Sequence, residues 1–287
     1  TRCLSDWSSD VCSSDLILSS FENLYRDCKV SFDQKIIGKY SEIERQIDVL
    51  VEGYILNEKI KIVIDGKNYS KKLDVKAVDS FISMANDAEA THGILITNHG
   101  YSEGAYKRAY NDPSNIELDI LRFDELLKYQ GFGGVVHKNN YGFVFPNPFG
   151  WIVDNSPADV GIGRSYQRGL SFENAITIPE FMYFDITLYE YEFNDLSELK
   201  AFQENDTKYY FPSCIITYED FPVEYFDRKV ILRFIDRQDG NIEVTAFIDY
   251  SEYCVFVVLC CKKYLIDRNL RKLKYVVDNM MRIDVIQ

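Results

Sequence analysis

Two aspartates and a lysine are spaced so that neighbouring β-strands can bring them together. Residues 44–67 read ERQIDVLVEGYILNEKIKIVIDGK, in which two runs of alternating apolar and polar residues predict a β-hairpin. Side chains two apart on a strand point to the same face, so Asp65 and Lys67 share one face. Pairing of the two strands can bring Asp48 beside them. The hairpin therefore carries charge where a core residue is expected.

Two carboxylates and an ammonium group suit the hydrolysis of a phosphodiester. That reaction needs charge neutralisation at the phosphate and an activated water, and a hard cation bound by carboxylate oxygens supplies much of both. Mg²⁺ takes only one or two protein carboxylates, so Asp48, Asp65 and the carbonyl oxygen of Gly66 form a sufficient ligand set. Lys67 can orient the water or neutralise developing charge. The alternative is a surface hairpin whose charges simply face water.

Three motifs around the hairpin resemble a known family. In chain order they are RQIDVLVEG, IVIDGKNYSKKLDVKAVDSF and THGILITNHGYSEGA. Together they resemble the PD-(D/E)xK nuclease superfamily, in particular Mrr-like restriction endonucleases, over about residues 21–123. The resemblance implies that Asp48 and Asp65 are metal ligands and that Lys67 is the catalytic lysine. Members of this family more often have glutamate where this chain has Asp65, and often cysteine where it has Gly66. This difference bears on the geometry of a bound metal more than on whether a metal binds.

Other charged residues give additional candidates. Glu44 shares the strand parity of the first aspartate and Glu22 lies on a predicted helix, and each is either a further ligand or a solvated charge. Arg45, Lys71 and Lys72 are candidates for binding DNA phosphates locally. For the two lysines a solvated loop is the alternative.

The order of predicted elements in the first part of the chain is typical of an α/β domain. These elements are a helix at 17–28, a strand at 30–37, the hairpin with a turn at Asn57-Glu58, a helix at 74–88, a strand at 93–97, a helix at 102–110, a strand at 116–123 and a helix at 124–129. This order implies a mixed sheet with helices on both faces. We expect a restriction-endonuclease-like mixed central sheet flanked by helices over residues 17–135.

The composition changes after residue 131. Four of the seven prolines fall between Pro146 and Pro179, which predicts a domain boundary near residue 135 and an irregular connection over 136–159. Residues 160–287 are rich in tyrosine and phenylalanine and predict a smaller α+β domain that closes with a helix at about 264–283. A basic cluster on and just before that helix is expected to form a solvated face. From residue 140 onward the sequence discloses no function.

Composition narrows the functional classes. A formal net charge of −13 argues against indiscriminate binding to nucleic acid, so contact with DNA needs a local basic patch or a bound metal. Seven cysteines without a CxxC pair indicate neither a zinc site nor a disulfide scaffold, which fits a reducing cytoplasm. The apolar run at 255–261 is too short to span a bilayer, so no membrane partner is expected.

The opening residues do not resemble natural protein. Residues 6–16, DWSSDVCSSDL, resemble the translation of a sequencing adapter, and a disordered Ser/Asp tail is the alternative. Residues 1–16 are therefore left out of the fold prediction as an artefact, and the natural N-terminus is expected to be missing.

The residues and the resemblance together predict a Mg²⁺-dependent DNA endonuclease of the restriction or defence type. One alternative keeps the fold without catalysis, as a module that binds nucleic acid or protein. Another is a Holliday-junction-resolvase-like nuclease. Cutting both DNA strands with one site per chain would favour a homodimer.

Overall fold

The computed structural model describes residues 10–55, 58–67, 70–112, 117–122, 125–126, 129–137, 141–148, 150–157, 159–189, 193–223 and 228–284. The chain divides into two compact units, Thr1–Gly131 and Phe132–Gln287. The second unit is the longer one, whereas the sequence predicted a smaller second domain. In the ranges given above, no helix has the length and apolar character needed to cross a membrane.

The first unit is built on a mixed five-stranded sheet. Its elements are α1 (Asp10–Leu24), β1 (Lys29–Ile37), β2 (Glu44–Ile55), β3 (Glu58–Lys67), α2 (Val75–Asp87), β4 (His92–Thr97), α3 (Glu103–Tyr110) and β5 (Glu117–Arg122). The strand order is β1-β2-β3-β4-β5. The pairs β1–β2 and β2–β3 are antiparallel, and β3–β4 and β4–β5 are parallel. The predicted hairpin and the α/β order are therefore present.

The helices cover both faces of this sheet. Val78 and Phe81 of α2 are buried in one cluster with Leu50, Val63 and Leu95 of the strands. On the other face α1 contacts β1, β2 and β3. α2 begins where the sequence predicts, because the Asp74 side chain accepts a hydrogen bond from the Ala77 amide at 3.0 Å, an N-cap worth about 1 kcal/mol.

Three predicted features of the first unit differ from the structure or lie partly outside its described residues. α1 begins at Asp10, inside the adapter-like segment, whereas the sequence placed the first helix after it. In the hairpin turn, Glu58 already belongs to β3 and Asn57 lies outside the described residues. Of the helix predicted at 124–129, residues 124, 127 and 128 also lie outside them.

The second unit contains two sheets. Its elements are β6 (Phe132–His137), β7 (Tyr141–Pro146), β8 (Trp151–Asp154), β9 (Gly163–Gln167), α4 (Phe172–Thr177), β10 (Glu180–Leu188), α5 (Leu196–Tyr210), β11 (Ile215–Asp220), β12 (Lys229–Asp236), β13 (Asn241–Asp249), β14 (Tyr253–Lys262), α6 (Ile266–Asp278) and β15 (Met281–Asp284). A seven-stranded antiparallel sheet has the order β11-β12-β13-β14-β10-β9-β8, and a three-stranded sheet has the order β15-β7-β6.

The structure corrects the sequence prediction in three places within this unit. The segment 136–159, expected to be an irregular connection, contains β7 and β8, because β7 pairs with β6 and with the distant β15, and β8 pairs with the following β9. The closing helix ends at Asp278 and a strand follows it. The basic cluster is not a solvated face throughout, since Lys272 is buried and Arg268 is paired with Glu180 at 2.6 Å.

Candidate metal centre

The register of the hairpin sets the two aspartates opposite one another. Val49 of β2 pairs with Ile64 of β3, and the next position outward on each strand is an aspartate, Asp48 and Asp65. Each aspartate lies two residues from a side chain in the α2-facing cluster, so alternation along the strands directs both to that side of the sheet. The structure therefore places Asp48 and Asp65 side by side on one face of the sheet.

The two carboxyl groups are in direct contact. The Asp48 side chain accepts a hydrogen bond from the Gly66 amide at 2.8 Å through Oδ2. A hydrogen bond also joins the side chains of Asp48 and Asp65. The neighbouring Asp48 thus disfavours the ionised form of Asp65.

Burial and charge act against each other at Asp65. The residue is only 9% exposed, and its Oδ2 lies 2.7 Å from Nζ of Lys67. The pKa of Asp65 is raised from 3.8 to about 6, mainly because burial disfavours the carboxylate. The hydrogen bond with Asp48 raises the pKa of Asp65 further, while the charge of Lys67 lowers it. Lys67 itself is about one-third exposed, so its ammonium group lies between the buried carboxylate and solvent.

The donor set fits a hard divalent cation. A divalent cation held by the two carboxylates would offset the cost of ionising Asp65 in its buried position beside Asp48. The backbone carbonyl of Gly66 is the nearest further oxygen donor in the sequence. In the described part of the chain, no cluster of three or more His, Cys, Asp or Glu residues is arranged to hold a metal. Water and substrate oxygens would have to complete the coordination shell, as is usual for Mg²⁺.

Glycine at position 66 has a steric explanation. A Cβ atom built there would lie 3.0 Å from Cδ1 of Ile17 and 3.7 Å from Oδ2 of Asp48. Ile17 is 2% exposed, so α1 packs directly over this point of β3. The absence of a side chain lets the helix approach the strand that carries Asp65 and Lys67.

Lys71 and Lys72 lie just beyond the same edge of the sheet as this site. Lys67 pairs in register with Thr97 of β4, and Thr97 pairs with Arg122 of β5. Beyond β3, Leu73 is anchored to the turn after β4, because its amide donates to Gly100 O and its carbonyl accepts from Ser102 N. Lys71 and Lys72, which precede this anchor, are exposed.

The other acidic candidates are not brought to the pair. Glu44 forms a surface ion pair with Lys35 at 2.8 Å and lies four residues from Asp48 along β2, about 13 Å on an extended strand. Glu22 lies on α1 with an exposed side chain.

Arg45 is engaged by an aspartate that sequence reasoning missed. Its Nε lies 2.7 Å from Oδ2 of Asp87 at the end of α2. Asp87 also accepts hydrogen bonds from the amides of Tyr40 and Ser41 and from the Ser41 hydroxyl. These bonds, that of the Ser41 hydroxyl first, hold the pKa of Asp87 well below its usual range. Arg45 thus helps to fix the loop between β1 and β2.

A signal for this arrangement was present in the sequence. The C-terminus of a helix disfavours a negative charge, so an aspartate predicted in the last turn of a helix calls for compensating donors. The sequence does not say which distant residues provide them.

A family comparison decides the class of the first unit. Residues 20–129 match the sequence model Mrr_cat, described as a restriction endonuclease. These residues form an Mrr-type restriction endonuclease domain. Asp48, Asp65 and Lys67 all lie inside the matched range, and a domain of this family indicates a nuclease. The resemblance inferred from the three sequence motifs is confirmed.

The other comparisons add no functional information about the Mrr-type domain. No curated protein matches the chain. The crystal structure of a protein of unknown function, AF1548, matches with a TM-score of 0.31 and 18% sequence identity. The match covers 43% of this chain and 73% of that chain. The solution structure of cyanobacterial PsbP (CyanoP) from Synechocystis sp. PCC 6803 is 11% identical, covering 53% of this chain and 93% of that chain with a TM-score of 0.36.

Proposed function

We propose that this protein is a Mg²⁺-dependent endonuclease that hydrolyses DNA phosphodiester bonds, of the restriction type. Asp48 and Asp65 bind the cation, with the carbonyl of Gly66 as a further ligand, and Lys67 acts on the attacking water. The observation that carries the proposal is the placement of Asp48 opposite Asp65 beside the ammonium group of Lys67, inside an Mrr-type domain.

Each residue has a separate task in this proposal. When bound, the cation supplies charge neutralisation at the phosphate and lowers the pKa of a bound water. The Gly66 amide fixes one oxygen of Asp48, so this carboxylate is preorganised. Lys67 remains partly exposed next to Asp65, where its ammonium group can hold the water and offset negative charge as the phosphodiester is attacked.

Contact with the DNA backbone is local. The chain carries a net charge of −13, so phosphates must approach a surface where positive charge dominates. Lys71 and Lys72 are exposed on the loop that follows Lys67, and we assign backbone contacts to them. Arg45, which pairs with Asp87, is assigned to positioning the β1–β2 loop instead.

Plasmid cleavage with Mg²⁺ tests the proposal. Compared with the unchanged protein, Asp65→Asn and Lys67→Ala should lose about 10²–10³-fold in cleavage rate, the usual cost of removing one group that stabilises the transition state. Lys59→Ala is the matched control, because Lys59 is an exposed lysine of the same strand outside the site. Equal cutting by all four proteins would assign the activity to a contaminant and overturn the proposal.

A further inference from the structure

The carboxyl ends of three parallel strands in the first unit carry side chains that line up in one row. Lys67 of β3 pairs in register with Thr97 of β4, and Thr97 pairs with Arg122 of β5. Neighbouring strands lie about 4.8 Å apart, which places the Cα atoms of Lys67 and Arg122 about 10 Å from each other. Leu95 and Ile120, two residues earlier on β4 and β5, belong to the α2-facing cluster. Alternation therefore directs Arg122 to the face of the sheet that carries Lys67.

Arg122 is exposed and lies beside the turn that follows β4. A Cβ atom built on Gly100 would lie 3.6 Å from Cδ and 3.8 Å from Cγ of Arg122, so the aliphatic part of the arginine adjoins this turn. Gly100 has a φ of +72°, in the left-handed region that favours glycine. The Arg122 amide donates a hydrogen bond to Oε2 of Glu125 at 2.9 Å. These contacts hold Arg122 at the carboxyl end of β5 while the residue stays open to solvent.

The same turn contacts the loop that carries Lys71 and Lys72. The Leu73 amide donates a hydrogen bond to the carbonyl oxygen of Gly100 at 2.9 Å. Both lysines are exposed, as Arg122 is. Gly100 therefore adjoins both the arginine and the lysine loop, and three exposed cations lie along one edge of the sheet.

This local concentration of positive charge matters because the chain as a whole carries a net charge of −13. Phosphates approach an acidic protein most readily where cations dominate locally. A divalent cation held by Asp48 and Asp65 would offset the negative charge of the site itself. Arginine suits a phosphate in particular, because its planar guanidinium group can donate two parallel hydrogen bonds to phosphate oxygens. The edge that carries the proposed metal site is thus also the edge to which a nucleic-acid backbone is drawn.

We propose that Arg122 binds a backbone phosphate of the cleaved DNA strand, so that this strand runs across the carboxyl ends of β3, β4 and β5. One strand of B-DNA rises about 3.4 Å per nucleotide, so the distance of about 10 Å from Lys67 corresponds to roughly three nucleotides from the cleaved bond. A phosphate contact carries no base specificity, and its task is to fix the register of the DNA on the site. The inference rests on the proposed function for its substrate, DNA, and it adds a residue that positions that substrate.

The salt dependence of DNA binding tests the contact without cleavage. Binding of a labelled duplex is followed by fluorescence anisotropy in EDTA over a series of salt concentrations. Arg122→Ala should weaken binding about ten-fold at low salt and reduce the slope of log association constant against log salt by about 0.9, because one phosphate contact is lost. Arg122→Gln, which keeps most of the length of the side chain, should reduce the slope equally. Arg122→Lys keeps the positive charge and should keep the slope of the unchanged protein.

Arg26→Ala is the matched control for these variants. Arg26 is an exposed arginine of the same unit, three residues before β1 begins at Lys29. Lys29 pairs with Glu52, which lies four residues from Asp48 along β2, about 13 Å on an extended strand. Arg26→Ala should therefore leave the slope unchanged.

Cleavage kinetics give a second measurement of the same contact. Arg122→Ala should raise KM and leave kcat within about two-fold of the unchanged protein, because a phosphate contact away from the cleaved bond is equally strong in the ground state and the transition state. A full salt slope in both neutral variants, an equal loss of slope in Arg26→Ala, or no measurable DNA binding by the unchanged protein at low salt would overturn the inference.

The inference and the proposed function fail separately. Full Asp65-dependent plasmid cutting together with a salt slope that is insensitive to Arg122 would refute only the arginine contact. Binding that depends on Arg122 in a protein that never cuts DNA would refute only the nuclease.

Discussion

Replacing Asp65 by asparagine should stabilise the metal-free protein at neutral pH. The folded-state pKa of Asp65 is about 6, above its ordinary value of 3.8, so folding favours the protonated form. Its contribution to stability is therefore fully present below about pH 4 and is lost as the pH rises through about 6. A shift of roughly two units corresponds to about 3 kcal/mol, and the 12% exposed side chain leaves little screening by solvent.

Asparagine has nearly the same shape as a protonated aspartate but cannot ionise. Asp65→Asn should thus match the unchanged protein to within about 1 kcal/mol at about pH 4 and exceed it by up to about 3 kcal/mol at about pH 8. Native-state hydrogen exchange of the buried β3 amides, in EDTA, measures the opening free energy of this unit. Comparing both proteins at one pH cancels the intrinsic exchange rates.

An exposed carboxylate supplies the control for this experiment. Asp79 is about half exposed, and Asp79→Asn should show no comparable gain at high pH. If Asp65→Asn were no more stable than the unchanged protein at about pH 8, or if the difference did not grow with pH, Asp65 would not be a carboxyl group with a raised pKa in the metal-free protein.

The remaining predictions concern the metal, the loop and α1. In the described residues, no third His, Cys, Asp or Glu joins Asp48 and Asp65 in an arrangement that could hold a metal. A non-cleavable DNA duplex should therefore tighten Mg²⁺ binding by at least about ten-fold in calorimetry, and Asp48→Ala should abolish this binding with or without DNA. Asp87→Asn should destabilise the first unit above about pH 5, because the lowered pKa of Asp87 shows that folding favours its ionised form. The variant should also lose the part of the acid-dependent destabilisation that comes from protonating Asp87. Hydrogen exchange of the Tyr40 and Ser41 amides measures the effect, and no change there would refute the role of their bonds to Asp87. Gly66→Ala should lower the free energy of unfolding in urea by about 1–3 kcal/mol, because the added methyl group overpacks against Ile17. Adding Ile17→Val should recover part of that free energy. An unchanged urea midpoint for Gly66→Ala would refute the close packing of α1 on β3.

Local patterns were sufficient for the elements that carry the site. Alternation of apolar and polar residues predicts β2 and β3, and an aspartate before helical spacing predicts the start of α2. These signals lie within a few residues of one another, so side-chain periodicity and capping decide them. The second unit was harder, because β7 and β8 are short strands in a proline-containing segment and one partner of β7, the strand β15, is more than 130 residues away in sequence.

The sequence by itself predicted the hairpin with its two aspartates and its lysine, and the restriction endonuclease family of the first domain. Only the tertiary structure decided which partners the other charges meet. Glu44 pairs with Lys35 and Arg45 pairs with Asp87, while the rings of Tyr101, Tyr106 and Tyr110 stack on one another. The physical reason is distance along the chain: alternation fixes the face of a strand locally, but ion pairs and ring contacts depend on which remote segments the packed core brings within a few ångströms.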